Sequence, residues 1–447
     1  MIAAVAGLAV LGVGFSRSAT GLAGASPDDP AHGSAGASTP ARSSVAGSPV
    51  VPASRSPSGP DVSARPASPS PGPGGSSGPP PSAGPASIEV RLQATLDRIR
   101  AKLGIPGVSA TILFPDGGSW TGASGLAVVA TRAKVSPDTA FAFASVSKTF
   151  TSALILQLAD EGRLRLSDPA AGLLPPLRLA IDRRITVGML LNHTSGLADY
   201  FLNPKIDAPL QARPSDAWTI DRTLRYVGKR LAPPGTAWHY SNTNYLLLGL
   251  IAERLTGQPL AEAIRTRLLD PTGLDATWYQ AGERARAGLA HGYRQPGTKV
   301  NVKPIDLDDG SGVAPFRSVI SAAAGAGSLA GTSADLARWA RALYTGRVLG
   351  PAGTALLLSG FTKTTDYLDG VVYGFGVQAF TIDGHPSLGH SGRLLGFRSA
   401  VRHFPLDGLT IAVLTNQSRA DPGQVVRALL AEALIPDVPC AACPQAR

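Results

Sequence analysis

The chain has 447 residues, with 41 lysines and arginines against 31 aspartates and glutamates, a formal charge of +10 at neutral pH. The excess is arginine scattered among alanine, glycine and proline, so it reads as solvated surface charge and excludes a basic, aromatic-lined nucleic-acid face. The two cysteines, Cys440 and Cys443, lie together near the C-terminal end, which excludes a cysteine nucleophile in the body of the chain and a four-ligand cysteine zinc cage.

In chain order the first element is an apolar run, MIAAVAGLAVLGVGF, too short for a comfortable membrane span. It resembles the hydrophobic region of an export signal, with AGA ending at Ala25 as a small-residue cleavage site, although no lysine or arginine precedes it. Residues 1–25 are therefore expected to be a signal peptide or weak anchor, and the protein to be secreted or extracytoplasmic, tethered to the cell envelope in the anchored case. Residues 26–87 are mostly serine, proline, glycine and alanine with no aromatic residue. Such a stretch cannot bury enough apolar surface to offset the entropy of ordering, and a disordered tether is expected. Residues 88–436 turn periodic and are long enough for one large domain. In the tail, 437–447, the CxxC of PCAACP sits between prolines and reads as a small disulfide, not a redox motif.

Within the domain, SIEVRLQATLDRIRAKLG has helical spacing and a Gly104 stop. GVSATILF and GGSWTGASGLAVV, joined around Pro115-Asp116-Gly117, predict a hairpin. FAFASVSKTFTSALILQLADEGRL predicts a buried helix that carries Lys148 in its first turn, three residues after Ser145. ITVGMLLNHTSGL gives a short helix and a turn, and NYLLLGLIAERLTGQ a longer helix ending at Gly257. Thr332 and Asp335 have capping-box spacing before another long helix. The last hundred residues return to strands, VVYGFGVQAF, LGHSGRLLGFRSAVRHF and LTIAVLTNQ, before the closing helix GQVVRALLAEAL. Strands at both ends and helices between them predict an α+β fold (an α/β sandwich). Its antiparallel sheet is built from the two ends and flanked by helices, with an all-helical lobe inserted and a crevice between the two.

An ammonium group at the mouth of an apolar helix calls for a reason. Ser145 and Lys148, at i and i+3, share a helix face at roughly 5–6 Å. A lysine with an ordinary pKa of about 10.4 cannot take a serine proton at neutral pH. Burial, for which Phe141, Phe143 and Phe150 are candidates, disfavours the ammonium and makes the amine a base. The helix N-terminus adds N–H groups where an oxyanion can be held. S-x-x-K is a short pattern, but others follow it. Tyr240-Ser241-Asn242 stands directly before an apolar helix, 95 residues after Ser145. There the tyrosine can shuttle a proton and the asparagine can hold both the lysine and a substrate carbonyl. His390-Ser391-Gly392 lies in a predicted strand, 150 residues after Tyr240. In that strand Ser391 and His390 can bind a carboxylate and influence the tyrosine's proton, and Gly392 lets a substrate backbone approach.

S-x-x-K, then Y-S-N, then H-S-G resembles the serine β-lactamase and penicillin-recognising family, in the version typical of class C β-lactamases and D-alanyl-D-alanine carboxypeptidases. LLNHTSGLADY, 190–200, also looks like a family stretch, and His193 within it reads as a conformation-setting loop residue. The resemblance implies a β-lactamase/transpeptidase-like fold, Ser145 as the acylated nucleophile, and Lys148 and Tyr240 as the proton-transfer pair, either of which could be the base. It implies Asn242, His390, Ser391 and Gly392 as substrate-binding residues, and an oxyanion hole from the N–H groups of Ser145 and Arg393. His390 departs from the lysine usual in class C enzymes and shifts weight from β-lactam hydrolysis toward carboxypeptidase-like and esterase-like members. The expected activity is a D-alanyl-D-alanine carboxypeptidase-like serine hydrolase. A β-lactamase or esterase with the same site, or a penicillin-binding sensor without turnover, are the alternatives. Expected partners are a small peptide, ester or β-lactam, with peptidoglycan a further candidate and no nucleic acid.

No metal or cofactor is expected. H-E-x-x-H is absent, and the glycine-rich SAAAGAGSLAGTS, 321–333, lacks a P-loop lysine and reads as a structural bend. The one G-x-S-x-G, GGSSG at 74–78, falls in the tether, where no nucleophile elbow can form.

Overall fold

The computed structural model describes residues 87–295, 303–365 and 367–435. The expected signal segment, all of the tether but its last residue, and the CxxC tail lie outside the described residues. Helix α1, Ile88–Leu103, ends where Gly104 adopts the left-handed conformation, as its glycine stop required. The hairpin follows as β1, Gly107–Leu113, and β2, Ser119–Val128, with the short β3, Ala133–Lys134, beside it. The C-terminal half supplies β4, Thr362–Lys363, β5, Val372–Tyr373, β6, Gln378–Ile382, β7, His385–Leu394, β8, Phe397–Phe404, and β9, Leu409–Thr415.

These nine strands form one sheet in the order β3-β2-β1-β9-β8-β7-β6-β5-β4. All its pairs are antiparallel, and the two chain ends meet at β1 and β9, where Val108 opposes Thr415 and Leu113 opposes Thr410. The run LGHSGRLLGFRSAVRHF is two strands, folded tightly at Leu395-Gly396 with Gly396 at φ +78°. Every residue of β9 is buried because both faces of the sheet are covered. On one face, α1 and the closing helix α5, Pro422–Ala433, pack over Val108, Ile112, Ile411 and Val413. The other face carries the helical lobe.

In that lobe α2, Ser147–Asp160, and α3, Asn242–Thr256, are central. Eleven of the 14 residues of α2 are buried, the polar residues of its first turns included, so the helix has no long solvent-facing stripe. Helix α4, Ser333–Tyr344, packs on the sheet, and the Thr332 hydroxyl caps it by accepting from Asp335 N. The reciprocal half of the expected capping box does not form. The Asp335 carboxylate instead accepts from Ala276 N and Thr277 Oγ1, tying α4 to the preceding loop. Short helices at Asp207–Ala212 and Ile220–Leu224 lie between the two central helices in sequence.

Candidate active site

Ser145 is not in the first turn of the long helix. It lies in a tight turn, Ala144–Val146, just before α2 begins at Ser147. Ala144 enters that turn at φ +50°, a strained conformation for a residue with a Cβ, so the surroundings must hold it. They do so through Phe143 N, which donates to Leu329 O at 2.8 Å, and Phe143 O, which accepts from Ser399 Oγ at 2.7 Å. Gly392 lets strand β7 approach this turn. A Cβ there would collide with Phe143 O and Ser399 Oγ and lie 3.0 Å from Ala144 Cβ. The space that a side chain at Gly392 would take is filled by the chain's own nucleophile turn.

Lys148 is fully buried. Its Nζ donates to Ser145 Oγ at 3.1 Å, Asn242 Oδ1 at 2.7 Å and Ala326 O at 2.8 Å. The rings over the amine are Tyr240 and Tyr245, with centroids 5.0 and 5.5 Å away. The expected phenylalanines do other work, for Phe150 stacks on Trp339 at 3.9 Å and on Phe143 at 6.3 Å. Burial pulls the Lys148 pKa down to about 7, against the opposing pull of Asp199. The Tyr240 hydroxyl hydrogen-bonds Ser145, and burial holds its pKa well above the usual phenol value.

Asn242 opens α3. Its Oδ1 faces Lys148 and its Nδ2 donates to Asp199 Oδ2 at 2.8 Å, which leaves the second Nδ2 hydrogen for a ligand. His193, at φ +63°, is buried. Its Nδ1 lies 3.2 Å from Ser241 N and 3.1 Å from Asn244 Nδ2, accepting from both, and so fixes the start of α3.

His390 does not reach Tyr240. Its Nδ1 donates to Ser391 O at 2.6 Å and its Nε2 accepts from the Tyr373 hydroxyl at 2.8 Å. Burial drives its pKa down to about 3, so the ring is neutral. Its role is to anchor β7, and the expected influence on the tyrosine's proton is not made by contact. Ser391 is partly exposed. Its N–H donates to Gln378 Oε1 at 3.0 Å, and its hydroxyl accepts from Gln378 Nε2 at 3.2 Å. The N–H of Ser391 therefore leaves β7 on the side of β6. By the two-residue repeat of a strand, the N–H of Arg393 leaves on the same edge, beyond Gly389 and Gln378, the last β6–β7 pair. The Arg393 side chain itself points into solvent.

The beta-lactamase family model matches residues 92–435. The chain belongs to the beta-lactamase family. It is 34% identical over 341 residues to penicillin-binding protein 4 of Amycolatopsis lactamdurans, covering 72% of this chain and 84% of that protein. It is 28% identical over 367 residues to a D-aminopeptidase of Gluconobacter oxydans (strain 621H), covering 78% of this chain and 62% of that one. Among solved structures, a D-stereospecific amidohydrolase from a Streptomyces species superposes with a TM-score of 0.66 at 28% identity, over 76% of this chain and 98% of that one.

In this beta-lactamase-family chain the structure brings Ser145, Lys148, Tyr240 and Asn242 into one hydrogen-bonded group. His390, Ser391 and Gly392 form the wall behind it. Four participants went unrecognised in the sequence. Asp199 stands at the edge of the quoted LLNHTSGLADY stretch and could have been suspected there. Ala326 acts through its carbonyl, within the glycine-rich bend, and Gln378 and Tyr373 reach the site only through sheet pairing.

Proposed function

We propose that the chain is a serine amidohydrolase that forms an acyl-enzyme through Ser145 on small amides and peptides bearing a D-residue, with D-alanyl-D-alanine ends the favoured substrate. One observation carries the chemistry: the Lys148 amine has two carbonyl acceptors, Asn242 Oδ1 and Ala326 O, besides the Ser145 hydroxyl. A neutral amine gives its two hydrogens to the carbonyls, and its lone pair is left for the Ser145 proton. Lys148 takes that proton as Ser145 Oγ attacks the acyl carbon. The N–H groups of Ser145 and Arg393 hold the oxyanion. The Tyr240 phenol, kept protonated by burial, donates to the departing nitrogen and is recharged from Lys148. Water then attacks the acyl-enzyme by the reverse route, releasing the acid and restoring Ser145. The D-configured substrate is supported by relatives named D-aminopeptidase and D-stereospecific amidohydrolase.

The test is a comparison of D-alanine release from a D-Ala-D-Ala peptide, ammonia release from D- and L-amino-acid amides, p-nitrophenyl ester hydrolysis and nitrocefin hydrolysis, each with Ser145→Ala as control. Turnover of D-amides or D-Ala-D-Ala ends above the others is expected. Nitrocefin turned over fastest, or equal turnover of L-amides, would refute the substrate assignment.

The pH profile has a defined sign. The working form is the free amine, so kcat/KM is expected to rise through an acid limb near pH 7, the value to which burial lowers Lys148. Neither imidazole supplies this limb, because burial keeps His193 and His390 neutral well below it. No fall from Tyr240 is expected below about pH 10, since its phenol is pushed above the ordinary range. Measuring kcat/KM with an uncharged ester from about pH 5 to about pH 9 checks this. A limb near 4 or a bell centred on 7 would contradict it.

A further inference from the structure

We propose that Asp199 is a positioning residue for the proton-transfer group: its carboxylate, an acceptor only, holds the Asn242 amide in the one orientation that turns Oδ1 to the Lys148 amine. Asp199 lies in the turn before Tyr200 and is 8% exposed. It accepts from Phe201 N at 3.0 Å, from Asn242 Nδ2 at 2.8 Å, and also from the Asn242 backbone N–H. Both the main chain and the side chain of Asn242 are therefore tied to one carboxylate at the N-terminal end of α3, where negative charge is favoured.

An asparagine amide can rotate by half a turn at little steric cost. Rotated, Asn242 would present Nδ2 hydrogens to the Lys148 hydrogens, and the amine would lose one of its two carbonyl acceptors. A carboxylate beside Nδ2 forbids that rotation, because Oδ1 of Asn242 facing Oδ2 of Asp199 would set acceptor against acceptor. The line Ser145–Lys148–Asn242–Asp199 thus runs from nucleophile to base to orienting amide to a buried anion. Asp199 acts on the reacting atoms only through Asn242 and through its charge.

That charge has a second consequence. The groups facing Lys148 are Asp199 from its turn, His193 from the loop after the 187–191 helix, His390 from β7, and Tyr240 and Tyr245 around the start of α3. Both imidazoles and both phenols are neutral in the working range. Burial raises the Asp199 pKa, but the N–H donors of Phe201 and Asn242 and the nearby Lys148 oppose this and favour the carboxylate, the anionic partner among these groups. That carboxylate favours the ammonium form and opposes the burial that favours the amine. Removing it lets Lys148 lose its proton at lower pH.

Asp199→Asn and Asp199→Ala test this, and the kinetic part rests on the functional reading above. With Asp199→Ala, kcat/KM is expected to fall about tenfold or more, as the base loses its alignment. With Asp199→Asn, a smaller loss is expected, with the acid limb displaced to lower pH by about one pH unit or more. A purely structural carboxylate would lower the melting temperature and leave the limb in place, so an unmoved limb overturns the proposal. The second arm needs no turnover: a crystal structure of Asp199→Ala is expected to have Asn242 rotated or withdrawn from Lys148. Retention of the Asn242–Lys148 contact at its wild-type length of 2.7 Å would overturn the positioning role even if the wild-type chain hydrolysed none of the substrates.

Discussion

Ser145→Ala is expected to end acyl transfer while leaving the fold intact. Without Oγ no ester can form at residue 145, and kcat/KM should drop by about 10⁴-fold or more, to what the oxyanion donors and binding alone supply. Stability should change by no more than about 0.5 kcal/mol, because the side chain is half-buried at a turn and leaves no large cavity. Lys148 keeps Asn242 Oδ1 and Ala326 O as acceptors, so its buried nitrogen is not stranded. The measurement pairs thermal melting with mass spectrometry after exposure to a labelled penicillin. In the wild-type chain the adduct is expected on the peptide containing Ser145, and in the variant on none. An adduct on any other peptide, or undiminished hydrolysis by a well-folded variant, would remove Ser145 from the centre of the chemistry.

The parts of this site that were legible in the sequence are those whose chemistry is written in side chains close together along the chain. Ser145 and Lys148 stand one helical turn apart, and Tyr240 and Asn242 bracket the cap of α3, so residue type and spacing carry the signal. The sheet was legible for a related reason. Strands β1 and β9, where the chain ends meet, are covered on both faces and read as largely apolar runs, GVSATIL and LTIAVLT, whereas the two-residue strands at the β4–β5 edge have no period to read. What stayed hidden acts across the chain. Ala326 contributes a backbone carbonyl, for which no residue type is diagnostic. Phe150 follows Lys148 by two positions and so points to the far side of α2, toward Trp339, which is why the tyrosines of α3 and its cap surround the amine instead. In the sequence, the imidazole of His390 beside Ser391 suggests a group that binds a carboxylate and influences the tyrosine's proton. Its contacts with Tyr373 and Ser391 O, set by β5 and β7, make it a strut.

Gly392→Ala is expected to damage both the fold and the site. The added Cβ has no room on any side, because Phe143 O, Ser399 Oγ and Ala144 Cβ all converge on it. Nor can Phe143 O yield, since it also accepts from Ser399 Oγ at 2.7 Å and from Val146 N at 3.2 Å, the bonds that define the nucleophile turn. Strand β7 must therefore draw back from the turn, or the turn must open. Either movement costs about 1–3 kcal/mol as overpacking. The functional loss should be larger in proportion. The two N–H groups assigned to the oxyanion belong one to the turn and one to β7, and a shift of about 1 Å between them costs about 10²-fold in kcat/KM. Ser399→Ala separates the two effects. Alone it removes one bond to Phe143 O, and in combination with Gly392→Ala it also removes one of the three clashes. The double variant should then recover part of the stability lost by Gly392→Ala, a coupling that a thermodynamic cycle measures directly. Strict additivity of the two changes, or a Gly392→Ala variant with wild-type kcat/KM, would mean that β7 does not buttress the nucleophile turn.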